Sequence, residues 1–167
     1  MIYRTLFIAL MVLLTSCTKE QIINAVSNED NSFTVNGSGY TAATFKGYDL
    51  DTASRAQMSD TTAIIGFSGF TNTTGEVFVI GLTCGTTTPG TYTVNALNGT
   101  TISLVTRSTT GTTRTLTATS GTVSISEWGA VGGVVKGTFS GSMVLPTDVT
   151  APVLEITNGK FDVKRAS

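Results

Sequence analysis

The chain predicts an all-β fold, an antiparallel β-sandwich with a flattened β-barrel as the alternative, in one domain spanning residues 32–167. Three observations predict it. From Phe33 onward, no window of about eleven or more residues has the 3.6-residue apolar period of an amphipathic helix. Thr, Val, Ile and Phe dominate between clusters of Gly, Asn and Asp, the composition of strands separated by turns. About ten such segments follow one another at short spacing, as in a sandwich or a barrel.

The chain opens differently. Arg4 supplies a positive charge, Leu6 to Leu14 form an unbroken apolar run, and Thr15-Ser16 lead into Cys17. The run is shorter than the roughly 20 residues of a membrane span and has the layout of a secretory signal over residues 1–16. Leu14-Thr15-Ser16-Cys17 resembles the lipobox of bacterial lipoproteins. That resemblance implies cleavage before Cys17 and lipidation of its thiol and amine (palmitate among the acyl chains). Two chains already anchor a protein stably, at about 0.8 kcal/mol per buried CH₂. Thr18 in second place, not Asp, implies an outer-membrane destination, and Lys19-Glu20 faintly resembles a surface-export signal. The expected address is the outer membrane, facing the cell surface, with the periplasmic face as the alternative. Residues 17–31 have no periodicity and are expected to form a tether, with an end-to-end distance of about 20 Å.

Phe33-Thr34-Val35 running into Asn36-Gly37, followed by Tyr40 to Tyr48, predicts a hairpin. Asp49 to Asp60 is expected to be a polar loop. Ala63 to Phe70 and Glu76 to Leu82 are strands, the second apolar at successive positions as if buried on both faces. Pro89-Gly90 turns the chain into Thr91 to Val94, and Thr101 to Arg107, Thr113 to Ala118 and Thr122 to Ser126 follow as three strands. The clearest alternation comes next, with Val135, Phe139 and Met143 on one face and Lys136, Thr138, Ser140 and Ser142 on the other. Leu154 and Ile156 continue it, but the apolar phase slips by one before Phe161 and Val163. Asn158-Gly159 therefore marks a turn or a bulge. Glycines on the inward face predict close packing over a large aromatic or a strongly bent strand.

Ser32-Phe33-Thr34-Val35-Asn36-Gly37, Pro89-Gly90-Thr91-Tyr92, Lys136-Gly137-Thr138-Phe139-Ser140-Gly141 and Ile156-Thr157-Asn158-Gly159-Lys160-Phe161 occur in that order. They resemble the small Bacteroidota lipoproteins of unknown function, which carry an all-β domain behind a lipobox. A Trp common in that pattern's first hairpin is replaced by Tyr40. The resemblance implies no activity. Asp51-Thr52-Ala53 and Asp60-Thr61-Thr62 resemble O-glycosylation acceptor sites of the same phylum, which would make Thr52 and Thr61 modified residues.

Composition narrows the chemistry. There are 10 Lys and Arg against 11 Asp and Glu, so no cationic footprint for a nucleic acid exists. With no histidine in the chain, Ser-His-Asp and Cys-His catalysis and the usual zinc sites are excluded. If Cys17 carries lipid, Cys84 has no disulfide partner, and its place after Val77 to Leu82 makes it a buried strand-end thiol. Gly85 to Thr91 has the glycine spacing of a phosphate loop but neither its lysine nor its helix. Asp49 and Asp51 begin like a calcium loop, but Ala53 and Ser54 stand where a further ligand and the loop glycine belong. No catalytic residue, metal site or cofactor is expected.

Trp128, beside Glu127 and before a glycine-rich turn, is the aromatic expected to be exposed, and with Tyr40, Tyr48 and Tyr92 it is the candidate platform for a sugar. The expected function is a non-catalytic interaction module, held to the membrane through Cys17 and binding a protein or an envelope component. The alternatives are a glycan-binding accessory of a polysaccharide-uptake system, with Trp128 as the contact, and, further off, a carboxylate-dependent hydrolase.

Overall fold

The computed structural model describes residues 27–48, 54–71, 74–147 and 154–166. Among them are ten strands: β1 (Ser27–Gly37), β2 (Tyr40–Tyr48), β3 (Ser54–Ser59), β4 (Thr62–Thr71), β5 (Val77–Cys84), β6 (Gly90–Thr93), β7 (Thr101–Arg107), β8 (Thr113–Trp128), β9 (Val134–Val144) and β10 (Leu154–Arg165). One 3-10 turn, Ala96–Asn98, is present, and no α-helix occurs among the described residues.

The strands form one sheet that closes on itself. Antiparallel pairing runs from β1 to β2, β4, β5, β7, β8, β9 and β10, and β10 pairs back with β1. The result is a closed eight-strand antiparallel barrel with β3 and β6 as additional strands. Closure by the β10–β1 ladder makes this the barrel of the two architectures the sequence allows, and the preferred sandwich of two separate sheets gives way to it. A barrel removes the sheet edges that a sandwich leaves open.

The interior is dense with aromatic rings. Phe33 of β1 stacks on Phe45 of β2 at 4.9 Å between centroids and meets Phe78 of β5 edge-on at 5.0 Å. Phe139 of β9 lies 5.7 Å away and Phe67 of β4 6.2 Å. Each such pair contributes about 0.5–1.5 kcal/mol beyond area burial. Val135, Phe139, Met143, Leu154 and Ile156 are all buried, as their alternation requires. The inward glycines make room for the rings: a Cβ on Gly159 would stand 2.7 Å from the Phe139 ring, and one on Gly137 would strike Phe161.

Local differences from the sequence reading have physical causes. β1 begins at Ser27, so Ser27–Asn31 belong to the wall and not to a tether. Asn31 is buried because its side chain brackets β10, donating to the Asp162 carbonyl at 3.1 Å and accepting from the Asp162 N–H at 2.8 Å. The first hairpin turns at Ser38-Gly39, both at positive φ, one step beyond Asn36-Gly37. The Asn36 carboxamide instead accepts from the N–H of Ala42, whose φ of 48° forms a bulge. Ser54–Ser59, expected in a loop, pair as β3 with β4 through a two-residue Asp60-Thr61 turn. Their polarity reflects an outward face carrying Arg55 and Gln57, over inward Ser54 and Ala56. β5 alternates, with Val77 and Val79 outward and Phe78, Ile80 and Leu82 inward. Burial on both faces does not occur, because nothing covers the barrel wall there among the described residues.

Thr113 to Ala118 and Thr122 to Ser126 are one strand, β8, bent at Gly121 (φ 141°). Its first half pairs with β7 and its second half with β6, while β9 follows it along the other edge. Asn158, at φ 52°, forms a bulge on β10 that restores the inward phase of Phe161 and Val163. The strand directions give the barrel two mouths. The upper one carries the β1–β2, β4–β5 and β7–β8 turns, and the lower one the β8–β9 turn and the end of β10.

Candidate functional site

The residues singled out in the sequence do not converge. Cys17, Thr52, Asp49 and Asp51 lie outside the described residues. Thr61 is exposed at the tip of the β3–β4 hairpin, next to Asp60 at φ 55°. Cys84 ends β5 inside the core, where burial pushes its thiol up to about 11, the behaviour of a small hydrophobe.

Trp128 is not an exposed platform. Its ring packs partly buried against the core, and the Arg165 guanidinium covers it at 5.4 Å from the ring centroid. Arg165 is fixed there by donating from Nη1 to the Gly129 carbonyl at 2.8 Å. The indole N–H is buried with no hydrogen-bond partner among the described residues. Tyr48 rests on Phe70 at 5.4 Å, Tyr92 donates to the Thr88 carbonyl, and Tyr40 sits at the opposite mouth. No aromatic contact among the described residues joins Trp128 to any tyrosine.

The upper mouth brings together groups that no motif announced. Tyr40 begins β2, packs edge-on against Phe45 at 5.5 Å, and donates its hydroxyl to Glu76 Oε2 at 2.8 Å. Glu76 is held by the β4–β5 turn: its carbonyl accepts from the Thr71 N–H at 2.8 Å, and its own N–H donates to Thr71 Oγ1 at 3.2 Å. Gly75, at φ 68°, makes that turn possible. Across the mouth, the β7–β8 turn is braced by Thr112 N–H donating to Ser108 Oγ at 3.0 Å and by a 2.9 Å bond between the Ser108 and Thr110 hydroxyls.

Arg114 follows on β8, opposite Thr106 of β7. Tyr40, Glu76, Ser108, Thr110, Thr112 and Arg114 line a cleft of about 270 Å³. Burial pushes the Tyr40 phenol up to about 12, helped by its bond to Glu76 and that carboxylate's charge, while Thr106 and Arg114 pull weakly the other way. Thr106 is itself buried, 1% exposed, with its hydroxyl beside the Tyr40 phenol. Neither Glu76 nor Arg114 takes part in an ion pair there.

Two other depressions differ in kind. A trough of about 400 Å³ on the outer face of β8–β9–β10 has its charges engaged with one another, Lys136 with Asp162 at 2.8 Å and Lys160 with Asp30 at 3.9 Å. A cleft of about 430 Å³ at the lower mouth is lined by Arg55, Val131, Gly132, Lys164, Arg165 and Ala166. Among the described residues no group of three or more Asp, Glu or Cys side chains is arranged to hold a metal ion. Comparison of the chain with known protein families, with curated proteins and with solved structures gave no match.

Proposed function

We propose that this chain is a lipid-anchored, non-catalytic binding module of the outer membrane, facing the cell surface and attached to the bilayer through Cys17. The observation that carries the reading is the distribution of polarity. The barrel is apolar inside, around the Phe33 cluster, and polar outside, with Thr113, Thr115, Thr117 and Thr119 exposed along β8. A membrane-spanning barrel is built the other way round. That polarity supports attachment through the lipobox-like Leu14-Thr15-Ser16-Cys17 and not through the barrel wall. A filled interior also moves recognition to the outer wall and the mouths. On the wall, Gly66 and Gly81 pair across β4 and β5 as a low saddle beside Val79, which is 54% exposed. Such a flat, small-residue surface fits a protein partner or an envelope component.

The non-catalytic reading is supported by the state of the reactive groups. The Cys84 thiol is buried, and Asp162, Asp30 and Glu29 are tied to lysines. Thr61, at an exposed hairpin tip, is accessible to a glycosyltransferase, and Thr52 is its companion acceptor by sequence. The glycan-binding accessory is the second reading, and what favours it is the cleft at the upper mouth, not Trp128.

Metabolic palmitate labelling with membrane fractionation tests the proposal. The wild-type chain should label and sediment with the outer membrane, and Cys17→Ser should do neither. Labelling that survives the substitution overturns the anchor. In affinity gels containing polysaccharides, Trp128→Ala should migrate as wild type does; retardation lost in that variant alone would restore the Trp128 platform.

A further inference from the structure

We propose that the upper mouth is a binding site for a single neutral sugar ring, held between the Glu76 carboxylate and the Arg114 guanidinium. This gives the binding module a ligand class and does not depend on lipidation of Cys17.

The site is built, not incidental. Glu76 is positioned by two backbone-linked bonds to Thr71 and by the Tyr40 hydroxyl, which engages Oε2 and leaves Oε1 to accept. Arg114 lines the same cleft, exposed, and its side chain makes no ion pair among the described residues. Thr106, 1% exposed, lies beside the Tyr40 phenol beneath this ring of groups. Mouths of β-barrels are common ligand sites.

Charge and shape select the ligand. One carboxylate and one guanidinium give the cleft no net charge, so a neutral molecule fits it without leaving an ion uncompensated. A carboxylate oxygen accepts from a hydroxyl, a guanidinium donates in a planar fork, and Thr112 does either. Vicinal hydroxyls of a pyranose present donors and acceptors at matching spacing. The half-buried Tyr40 ring offers an apolar wall for the sugar's C–H face. At about 270 Å³ the cleft is at the small end of ligand sites, which limits it to one ring.

The test is titration of the full chain carrying Cys17→Ser with glucose, galactose, mannose and N-acetylglucosamine, followed by amide chemical shifts in NMR. At least one sugar should bind saturably, with shifts centred on Tyr40, Glu76, Thr112 and Arg114. Glu76→Gln keeps the bond from Tyr40 and the fold, and should weaken binding at least tenfold; Arg114→Met should do the same. Thermal unfolding of both variants at the wild-type temperature separates lost binding from lost structure. No saturable sugar binding, or binding that both variants retain, overturns the proposal. Tighter binding of glycine or alanine than of any sugar overturns the sugar assignment, because a zwitterion would then be the cleft's ligand. Failure here leaves the anchor untouched, since palmitate labelling reports on that separately.

Discussion

The two mouths of the barrel use similar parts to opposite ends. At the lower mouth Trp128 is the large aromatic, and Arg165 lies over its face while bonding Gly129. The ring's best recognition surface is thereby consumed within the fold. At the upper mouth the aromatic is Tyr40, and its partner Glu76 binds only the hydroxyl, at the ring's edge. The carboxylate keeps an oxygen, and Arg114 stays on the far side of the cleft. A cation placed on an aromatic closes a site, whereas an anion placed at its hydroxyl leaves one open. Residue type alone does not separate these outcomes; the side chain opposite does.

Three changes break or sharpen that contrast. The largest effect belongs to the packing both mouths share: Phe33→Ala removes the ring that touches Phe45, Phe67, Phe78 and Phe139, and should cost about 3–5 kcal/mol in denaturant unfolding. Its loss should loosen the two ends together.

Alkaline unfolding should separate them. Cys84 lies toward the lower end, with its thiol pushed up to about 11, and Tyr40 at the upper mouth with its phenol pushed up to about 12. Both acids hold their protons longer folded than unfolded. Each therefore contributes stability that is complete below its unfolded pKa and is lost as pH rises through the folded one. For Cys84 that window is about pH 9 to 11, and for Tyr40 about pH 10 to 12. Two pH units at each group would give about 5 kcal/mol, and solvent screening at the half-exposed Tyr40 lowers the expected fall to roughly 2–4 kcal/mol across both. Cys84→Ala should remove its lower part and Tyr40→Phe its upper part; a single unchanged transition in both variants would show that neither end titrates as described.

The smallest effect is Arg165→Met. It should cost about 1 kcal/mol and red-shift the fluorescence of Trp128, the chain's one tryptophan, as water reaches the uncovered ring.

Much of the wall was legible in the sequence because strand burial has a period of two. Val135, Phe139 and Met143 announce their own direction, and the phase slip at Asn158-Gly159 announces a bulge. Closure was not legible, since a strand's inward pattern is the same whether its sheet ends or returns to its start. Nor could alternation of Val77 and Val79 with Phe78 and Ile80 be seen where both faces are apolar. The upper mouth was hidden for another reason. Tyr40, Glu76 and Arg114 lie on three different turns or strands, and only the ring of pairings through β2, β4, β5, β7 and β8 makes them neighbours. Trp128 stood out in the sequence by rarity, but its covering residue, Arg165, comes from the far end of the chain.

The placement of β1 has a mechanical consequence. It enters the wall between β2 and β10, with ladders on both sides, and it starts, at Ser27, at the lower end. A pull through the chain preceding Ser27, against a body held at the upper mouth, runs along the strand axis. It loads many hydrogen bonds of both ladders at once in shear, instead of peeling them one by one. If the amino-terminal end carries the domain, as proposed above, drag on the domain is met by both β1 ladders in shear.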